Sequence, residues 1–517
     1  MTTSATAAAG PAAHGEVIRS TIPARLDRLP WNGFHTRLVI ALGVAWVLDG
    51  LDITVAASVA PTMKEASALH MSAGAVGLAT GTVYLLGEVV GALFFGRLSD
   101  AWGRKKLFMI TLGVYLVGSG LTAATWNRSG LAIAFLYGCR FIAGMGIGGE
   151  YAAINSAIDE LIPARHRGRV DIAVNGTYWG GAILGTLGTL LVLNNLQPSL
   201  SWRLGFVIGP ALALVIIIVR RNLPESPRWQ LMHGKADEAE RSIAFIEGQV
   251  RARGGQLEEV PDSAAIEIRP THRRGFLALA WVLFAQMPRR AVLGASLMIT
   301  QSFLYNAIFF SYTLVLTTFY HVPANSAPWY FIAFAAGNLL GPLTIGRLFD
   351  TIGRRAMISG TYLLSGALLA VTAVLFQNGV LNATTQTIAW SVIFFFASAG
   401  ASAAYLTVSE IFPVEVRAQA IAVFFAIAQC FGAFGAWFYP HLIGQSRSAL
   451  FIGYLIGAGV MAVGGITELI LGVAAERKSL EDVASPLSLV RKASESLSGI
   501  RGAVQDLGPQ IRTTGTS

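Results

Sequence analysis

Apolar runs of about 20 residues, the length that carries a helix across the hydrocarbon core of a bilayer, recur along this 517-residue chain from Leu38 to Val473. In lipid every backbone polar group must be satisfied within its own segment, so repeated runs of this kind can fold only as spanning helices. Composition agrees: 54% of residues are hydrophobic and 13% are charged, whereas soluble domains carry roughly a quarter charged residues. Spans are expected near 38–60, 73–96, 107–126, 131–156, 170–194 and 203–221, and again near 291–318, 327–346, 356–376, 386–408, 418–443 and 448–473. The reading is an all-α integral membrane protein with twelve transmembrane helices.

Between the two sets of six the chain turns polar. The expected organisation is an N-terminal tail (1–36), a six-helix bundle (37–221), a central loop (222–290), a second bundle (291–473) and a C-terminal tail (474–517). Ala236 to Arg251 reads as an amphipathic surface helix within the loop. In the C-terminal tail Leu487, Val490, Leu497 and Val504 recur at roughly helical spacing, as a segment touching the membrane surface does. No apolar stretch with a small-residue cleavage site precedes the first span, so the N-terminus is not read as a signal peptide.

The formal charge of +9 is explained by position. Only Lys64, Arg128, Arg203 and Arg447 fall in loops of one side and Arg140 lies inside a span, so the other 33 of the 38 basic residues share the side holding both tails and the central loop. Basic loops are retained in the cytoplasm during insertion, which places both termini there. No basic groove with interleaved aromatics exists to bind nucleic acid. Lys supplies only six of the 38 basic residues, an Arg bias expected of a GC-rich bacterial genome, and the bacterial inner (plasma) membrane is the expected location. Cys139 and Cys430 lie far apart in apolar runs, so neither a disulfide framework nor a zinc motif is available. No nucleophile and base constellation or phosphate loop is present, and neither an enzyme, a cofactor nor a metal site is expected.

The halves repeat at a fixed offset of 250 residues. Gly96-Arg97-Leu98-Ser99-Asp100-Ala101-Trp102-Gly103-Arg104-Lys105 matches Gly346-Arg347-Leu348-Phe349-Asp350-Thr351-Ile352-Gly353-Arg354-Arg355, and Glu160, Pro163 and Arg167 match Glu410, Pro413 and Arg417. Such repeats are a mark of transporters built from two related bundles. In these residues the chain resembles the major facilitator superfamily, whose loop between helices two and three carries G-x-L-x-D-x-x-G-R-R/K. Pro224-Glu225-Ser226-Pro227-Arg228-Trp229 after span six resembles the sugar and metabolite porters, and Leu136, Arg140, Gly144, Gly146, Gly148, Gly149 and Glu150 in span four add a further family pattern. Ala101 and Thr351 stand where the family usually has a basic residue. The resemblance implies two pseudo-symmetric six-helix bundles. It also implies a cytoplasmic gate of Asp100, Arg104, Glu160, Arg167, Asp350, Arg354, Glu410 and Arg417, with Arg104 pairing Glu160 and Arg354 pairing Glu410. The alternative reading of these charges is as topology anchors and helix caps.

Other ionisable residues inside spans are unique to one half, since Asp49, Asp52, Glu88, Arg140 and Glu150 map by the offset onto Ile299, Ser302, Asn338, Trp390 and Gly400. An intramembrane charge is costly and usually faces a wet cavity. Asp49 and Asp52 lie three apart on nearly one helix face, at a depth similar to Arg140. One aspartate is expected to pair with Arg140 and the other to carry a proton, with Glu88 and Glu150 as further proton-coupling candidates; the alternative is a structural ion pair. Asp49-Gly50-Leu51-Asp52 resembles the D-G-x-D of helix one in proton symporters for aromatic acids. Arg140 is also the candidate partner for a substrate carboxylate. Gln301 and Tyr305 share a face of span seven with Asn306 flanking, and these are candidate substrate contacts; Tyr312 lies on the same face, and Trp390 is expected to be an interfacial anchor.

The expected function is a secondary active transporter, a functional monomer in the lipid bilayer that imports a small organic acid, aromatic or aliphatic, by proton-coupled symport with the proton gradient as its energy source. A sugar or polyol porter is the alternative, ahead of a drug efflux antiporter and a transporter-like nutrient sensor.

Overall fold

The computed structural model describes residues 17–71, 75–76, 78–126, 129–191, 195–220, 225–252, 254–268, 279–323, 326–487 and 489–492. The N-terminal half contains α1 (Ile22–Asp27), α2 (Gly33–Met63), α3 (Val83–Trp102), α4 (Arg104–Ala123), α5 (Gly130–Leu161), α6 (Ala164–Gly176), α7 (Tyr178–Leu191) and α8 (Pro198–Arg220). The middle segment forms α9 (Pro227–Met232) and α10 (Ala236–Arg251). The C-terminal half follows as α11 (Pro288–Phe319), α12 (Ala327–Ile345), α13 (Leu348–Thr351), α14 (Arg354–Gln377), α15 (Ala383–Ile411), α16 (Arg417–Gln445), α17 (Arg447–Leu471) and α18 (Leu480–Val483). Among the described residues ten helices are long and apolar enough to cross a membrane. The other two crossings are α8, which carries Pro210, and the span expected at 170–194, which is two helices with a break at Thr177. The Thr177 hydroxyl donates to the carbonyls of Gly43 (3.0 Å) and Val174 (2.6 Å), a side-chain bond back to the chain of the kind that bends helices.

Local chemistry sets the ends. Gly103 (φ 95°) and Gly353 (φ 119°) adopt a backbone conformation that other residues avoid, and each reverses the chain into α4 or α14. The unpaired first amides of α4 are taken up by Glu225, which accepts from Arg104 (2.9 Å) and Lys105 (3.2 Å); Glu476 accepts from Arg354 (3.4 Å) at the matching end of α14. Both carboxylates sit at the positive end of a helix dipole. Burial nevertheless raises the Glu225 carboxyl above its ordinary value, opposed by the Ser226 amide and the Arg104 charge. Ser129 caps α5, and Asn382 with Thr385 forms a capping box on α15.

Packing joins the halves along α3 with α16, α7 with α12, α6 with α15, α12 and α13, and α5 with α16. The polarity is that of a membrane protein: Leu131, Trp437 and Ile470 are exposed on the outside, while Arg104, Arg140, Arg167, Arg228, Arg354 and Arg417 are among the largest fully buried side chains. Trp390, expected at an interface, is instead fully buried against Tyr312 and Tyr454. The aromatic packing of α11, α15 and α17 takes it in.

One end of the bundle carries an extra layer. The expected surface helix is α10, which buries Ala239, Ile243, Ile246 and Val250 along one stripe. Residues 17–29 of the N-terminal tail pack into this layer: Ile22, Leu26 and Leu29 are buried, and Arg25 and Arg28 pair with Glu247 at 2.9 and 2.6 Å. Strands β1 (Ile18–Ser20), β2 (Ile266–Ile268) and β3 (Leu489–Lys492) form an antiparallel sheet in that order, with Arg19 opposite Glu267 and Glu267 opposite Arg491. Val490, read as part of a helical stripe, is thus in a strand; Leu497 and Val504 lie outside the described residues. Glycines let α5 approach α3 closely, since a Cβ at Gly144 or Gly148 of α5 would collide with the backbone of Tyr84 and Glu88 on α3.

Candidate functional site

Between the halves lies a cavity of about 130 Å³. Its wall is rich in rings, including Trp46, Tyr84, Tyr151, Trp179, Tyr305, Tyr405 and Phe425, with amides from Asn175, Gln301, Asn306 and Gln429. Glu88 is the only carboxylate in the lining, and the lining holds no Lys, Arg or His, among the described residues. The expected contacts Gln301, Tyr305 and Asn306 all face it. Tyr312 does not; its hydroxyl bonds to Thr387 at 3.0 Å in the packed interior. The Tyr305 hydroxyl donates to Asn338 (3.0 Å), the residue that the offset pairs with Glu88.

Glu88 reaches across the interface of the halves. The Gln429 amide donates to Glu88 Oε2 at 2.6 Å and accepts from Ser302 at 2.9 Å, and Asn306 donates in turn to Ser302. Among the described residues Glu88 Oε1 is buried with no hydrogen-bond partner. The close approach of α3 to α5 explains the direction, because the helix backbones nearly touch at Gly148 and leave the side chain only the cavity side.

Asp49 and Asp52 stand behind the wall. Asp49 accepts from Tyr84 (3.4 Å) and from Tyr151, whose ring is in the lining. Asp52 accepts from Tyr115 (2.9 Å), Ser119 (3.3 Å) and Arg140 (3.3 Å). Arg140 also donates to the Ala79 carbonyl and lies over the Tyr84 and Phe206 rings at 4.3 and 4.9 Å, so this guanidinium, expected to meet a substrate carboxylate, is outside the lining and occupied by Asp52 and two ring faces. Glu150 is buried next to Asp49 around a small void with Trp46 and Tyr151.

At the end carrying the extra layer, buried charges close the bundle. Arg104 pairs Glu160 at 2.7 Å and Arg354 pairs Glu410 at 3.0 Å, the two expected pairs. Each joins helices of one half. The bonds that cross are different: Arg167 of α6 to Glu410 of α15 at 3.6 Å, and the Arg169 amide to Asp350 at 2.7 Å. Asp350 also holds Arg354 at 2.7 Å. Arg417 is buried, donates to the Phe412 carbonyl at 3.3 Å and faces Asp159 and Glu160. The Asp100 side chain lies outside what the structure describes. Arg228 of the sequence run after span six ties the layer together, bonding Asp27 and Glu481 at 2.9 Å each and the Glu160 carbonyl at 2.8 Å.

Sequence reasoning missed Gln429 and every ring of the wall except Tyr305. The offset held a signal: Trp179 and Gln429, Asn155 and Tyr405, and Asn175 and Phe425 are each 250 apart, and five of these six residues line the cavity.

Comparison with known proteins agrees with the architecture. Residues 37–486 match the family model described as sugar (and other) transporter. The niacin transporter NiaP of Acinetobacter baylyi is 26% identical over 460 residues, covering 89% of this chain and 98% of that protein. The inner membrane metabolite transport protein YgcS of Escherichia coli is 25% identical over 438 residues, covering 82% and 89%. Among solved structures, the proton:xylose symporter XylE bound to 6-bromo-6-deoxy-D-glucose superposes with a TM-score of 0.68 at 18% identity, covering 87% of this chain and 98% of that one. The chain is therefore a multi-pass membrane transporter, not an enzyme, and belongs to the sugar (and other) transporter family, with the fold of a major facilitator superfamily symporter.

Proposed function

We propose that this protein is a proton-coupled importer of a small aromatic organic acid in the bacterial inner membrane, working as a monomer by alternating access and without a cofactor. The observation that carries the substrate class is the ring-lined cavity, with Trp46, Tyr151, Trp179, Tyr305 and Tyr405 among its walls, a shape and chemistry suited to a flat ring. The relative named as a niacin transporter handles a molecule of that kind. Coupling is assigned to the carboxylates of the N-terminal half. The Asp52–Arg140 pair is fully enclosed, so its geometry supports a fixed ion pair, while Asp49, Glu88 and Glu150 cluster between it and the interface. The end carrying the extra layer is the cytoplasmic one, from the basic-residue count. In this conformation the gate of Arg167, Glu410, Asp350 and Arg354 is closed there, and its separation opens the inward pathway.

A sugar is the second reading. The amides of Asn175, Gln301, Asn306 and Gln429 in the lining are what hydroxyl groups require, and XylE, named as a xylose symporter, shares the fold. Binding to purified protein separates the two. Trp46 and Trp179 in the wall report occupancy by fluorescence, so quenching by nicotinate and not by xylose is expected. Quenching by xylose alone would replace the acid by the sugar.

A further inference from the structure

Resting on that reading, we infer that Glu88 is the receptor for the substrate's carboxylate, holding it through a proton on Oε1 that is carried across the membrane with it. The anion site would then be a neutral carboxyl group and not a cation.

Four observations lead there. Glu88 is 1% exposed and is the only ionisable acid in the cavity wall among the described residues. Its Oε2 is satisfied by the Gln429 amide at 2.6 Å. That amide's orientation is fixed, because its oxygen accepts from Ser302. Among the described residues Oε1 has no partner. A buried carboxylate oxygen without a donor is costly, and a proton on it removes the charge and supplies a donor on a residue of the cavity wall. No cation lines the cavity, and Arg140 is held by Asp52 behind Tyr84. An anionic substrate entering beside an ionised Glu88 would meet a like charge. With the proton in place it meets an O–H donor instead. Anion and proton therefore bind together, which is the coupling that symport requires; when the cavity faces the other side, the acid ionises to water and the substrate leaves as the anion.

The charged and titratable neighbours act on this step from every side. Asp49 and Asp52 on α2 and Arg140 on α5 are its charged neighbours, and Gln429 on α16 is bonded to it. Tyr84 on the same helix, Tyr151 on α5, Tyr178 on α7 and Tyr405 on α15 face it as neutral phenols. Because Gln429 belongs to the other half, the state of Glu88 is also felt across the moving interface.

The test is nicotinate binding to purified protein as a function of pH, with nicotinamide as the neutral analogue, for wild type, Glu88→Gln and Glu88→Asp. If only the protonated state binds, the wild-type Kd for nicotinate rises toward tenfold per pH unit once Glu88 ionises, since apparent affinity scales with the competent fraction. Nicotinamide, which can donate to the ionised acid, changes less than about threefold over the same range, a factor of under 1 kcal/mol. Glu88→Gln keeps a donor and cannot ionise, so nicotinate binding persists and loses its pH dependence, while accumulation driven by a pH gradient is lost. Glu88→Asp keeps the pH dependence with weaker binding and serves if the Gln variant does not fold. A Glu88→Gln protein that binds nicotinate with the wild-type pH profile, or a Glu88→Asp protein without one, overturns the assignment and leaves proton symport standing. Wild type that binds xylose and no carboxylate removes the parent reading instead.

Discussion

Asp52 collects a phenol, a hydroxyl and a guanidinium and is itself only 2% exposed. Removing one partner of a buried ion pair costs about 3–5 kcal/mol, because the other charge stays behind. Arg140→Gln is thus expected to lower the melting temperature clearly and abolish accumulation, while Arg140→Lys keeps the charge, loses the fork and falls between. A Gln variant that melts and transports like wild type would show the pair to be dispensable. Asp49 differs, since its partners are two neutral phenols. Asp49→Asn is expected to fold, to retain exchange of internal for external substrate and to lose uphill uptake; full gradient-driven accumulation would remove it from coupling. The charges themselves were legible in the sequence, because an Asp or Arg inside an apolar run has no cheap alternative to a partner or a cavity. Tyr84, Tyr115 and Tyr151 were not: a tyrosine in a span reads as packing, and which carboxylate its hydroxyl meets depends on helix rotation, which no spacing gives. For the same reason Arg140 was read as facing substrate.

At the scale of elements, the duplicated turn gave the pairs Arg104–Glu160 and Arg354–Glu410 but not which bonds join the halves. In the proposed alternating access each of those pairs stays within one half, and opening would break Arg167–Glu410 and Asp350 with the start of α6. Arg167→Gln and Glu410→Gln are expected to raise labelling of cysteines engineered below the cavity at least severalfold, with Arg104→Gln and Glu160→Gln acting less strongly; equal accessibility in all four would reduce the layer to an anchor. The N-terminal attachment has its own pH signature. Burial alone would raise the Glu247 carboxyl, but its bonds to Arg25 and Arg28 outweigh that and hold it below the ordinary value. A depressed acid adds stability above its unfolded value, about 4.3, and loses it as pH falls through the folded one. Protection of residues 17–29 against hydrogen exchange, relative to the intrinsic rate, is therefore expected to fall before that of the spans as pH drops through the folded value of Glu247, and Glu247→Gln to give the acid behaviour at neutral pH. Unchanged protection in both would mean that Ile22 and Leu26 hold α1 alone. The break at Thr177 was not legible, since a threonine bonding to Gly43 depends on the neighbouring helix.

Across the whole molecule the offset of 250 residues carries the account: what both halves keep lies in the closing layer, and what one half alone holds surrounds the cavity. Twelve spans and two bundles follow from hydropathy and repetition because lipid leaves the backbone so few options, whereas the substrate depends on side chains meeting from seven or more helices. A proton gradient is expected to drive an aromatic acid through this cavity. The direct measurement is nicotinate accumulation in proteoliposomes carrying an inward proton gradient, with and without an uncoupler. Accumulation above the external concentration that collapses on adding the uncoupler is the result expected. Uptake that only equilibrates, or that ignores the uncoupler, would contradict it.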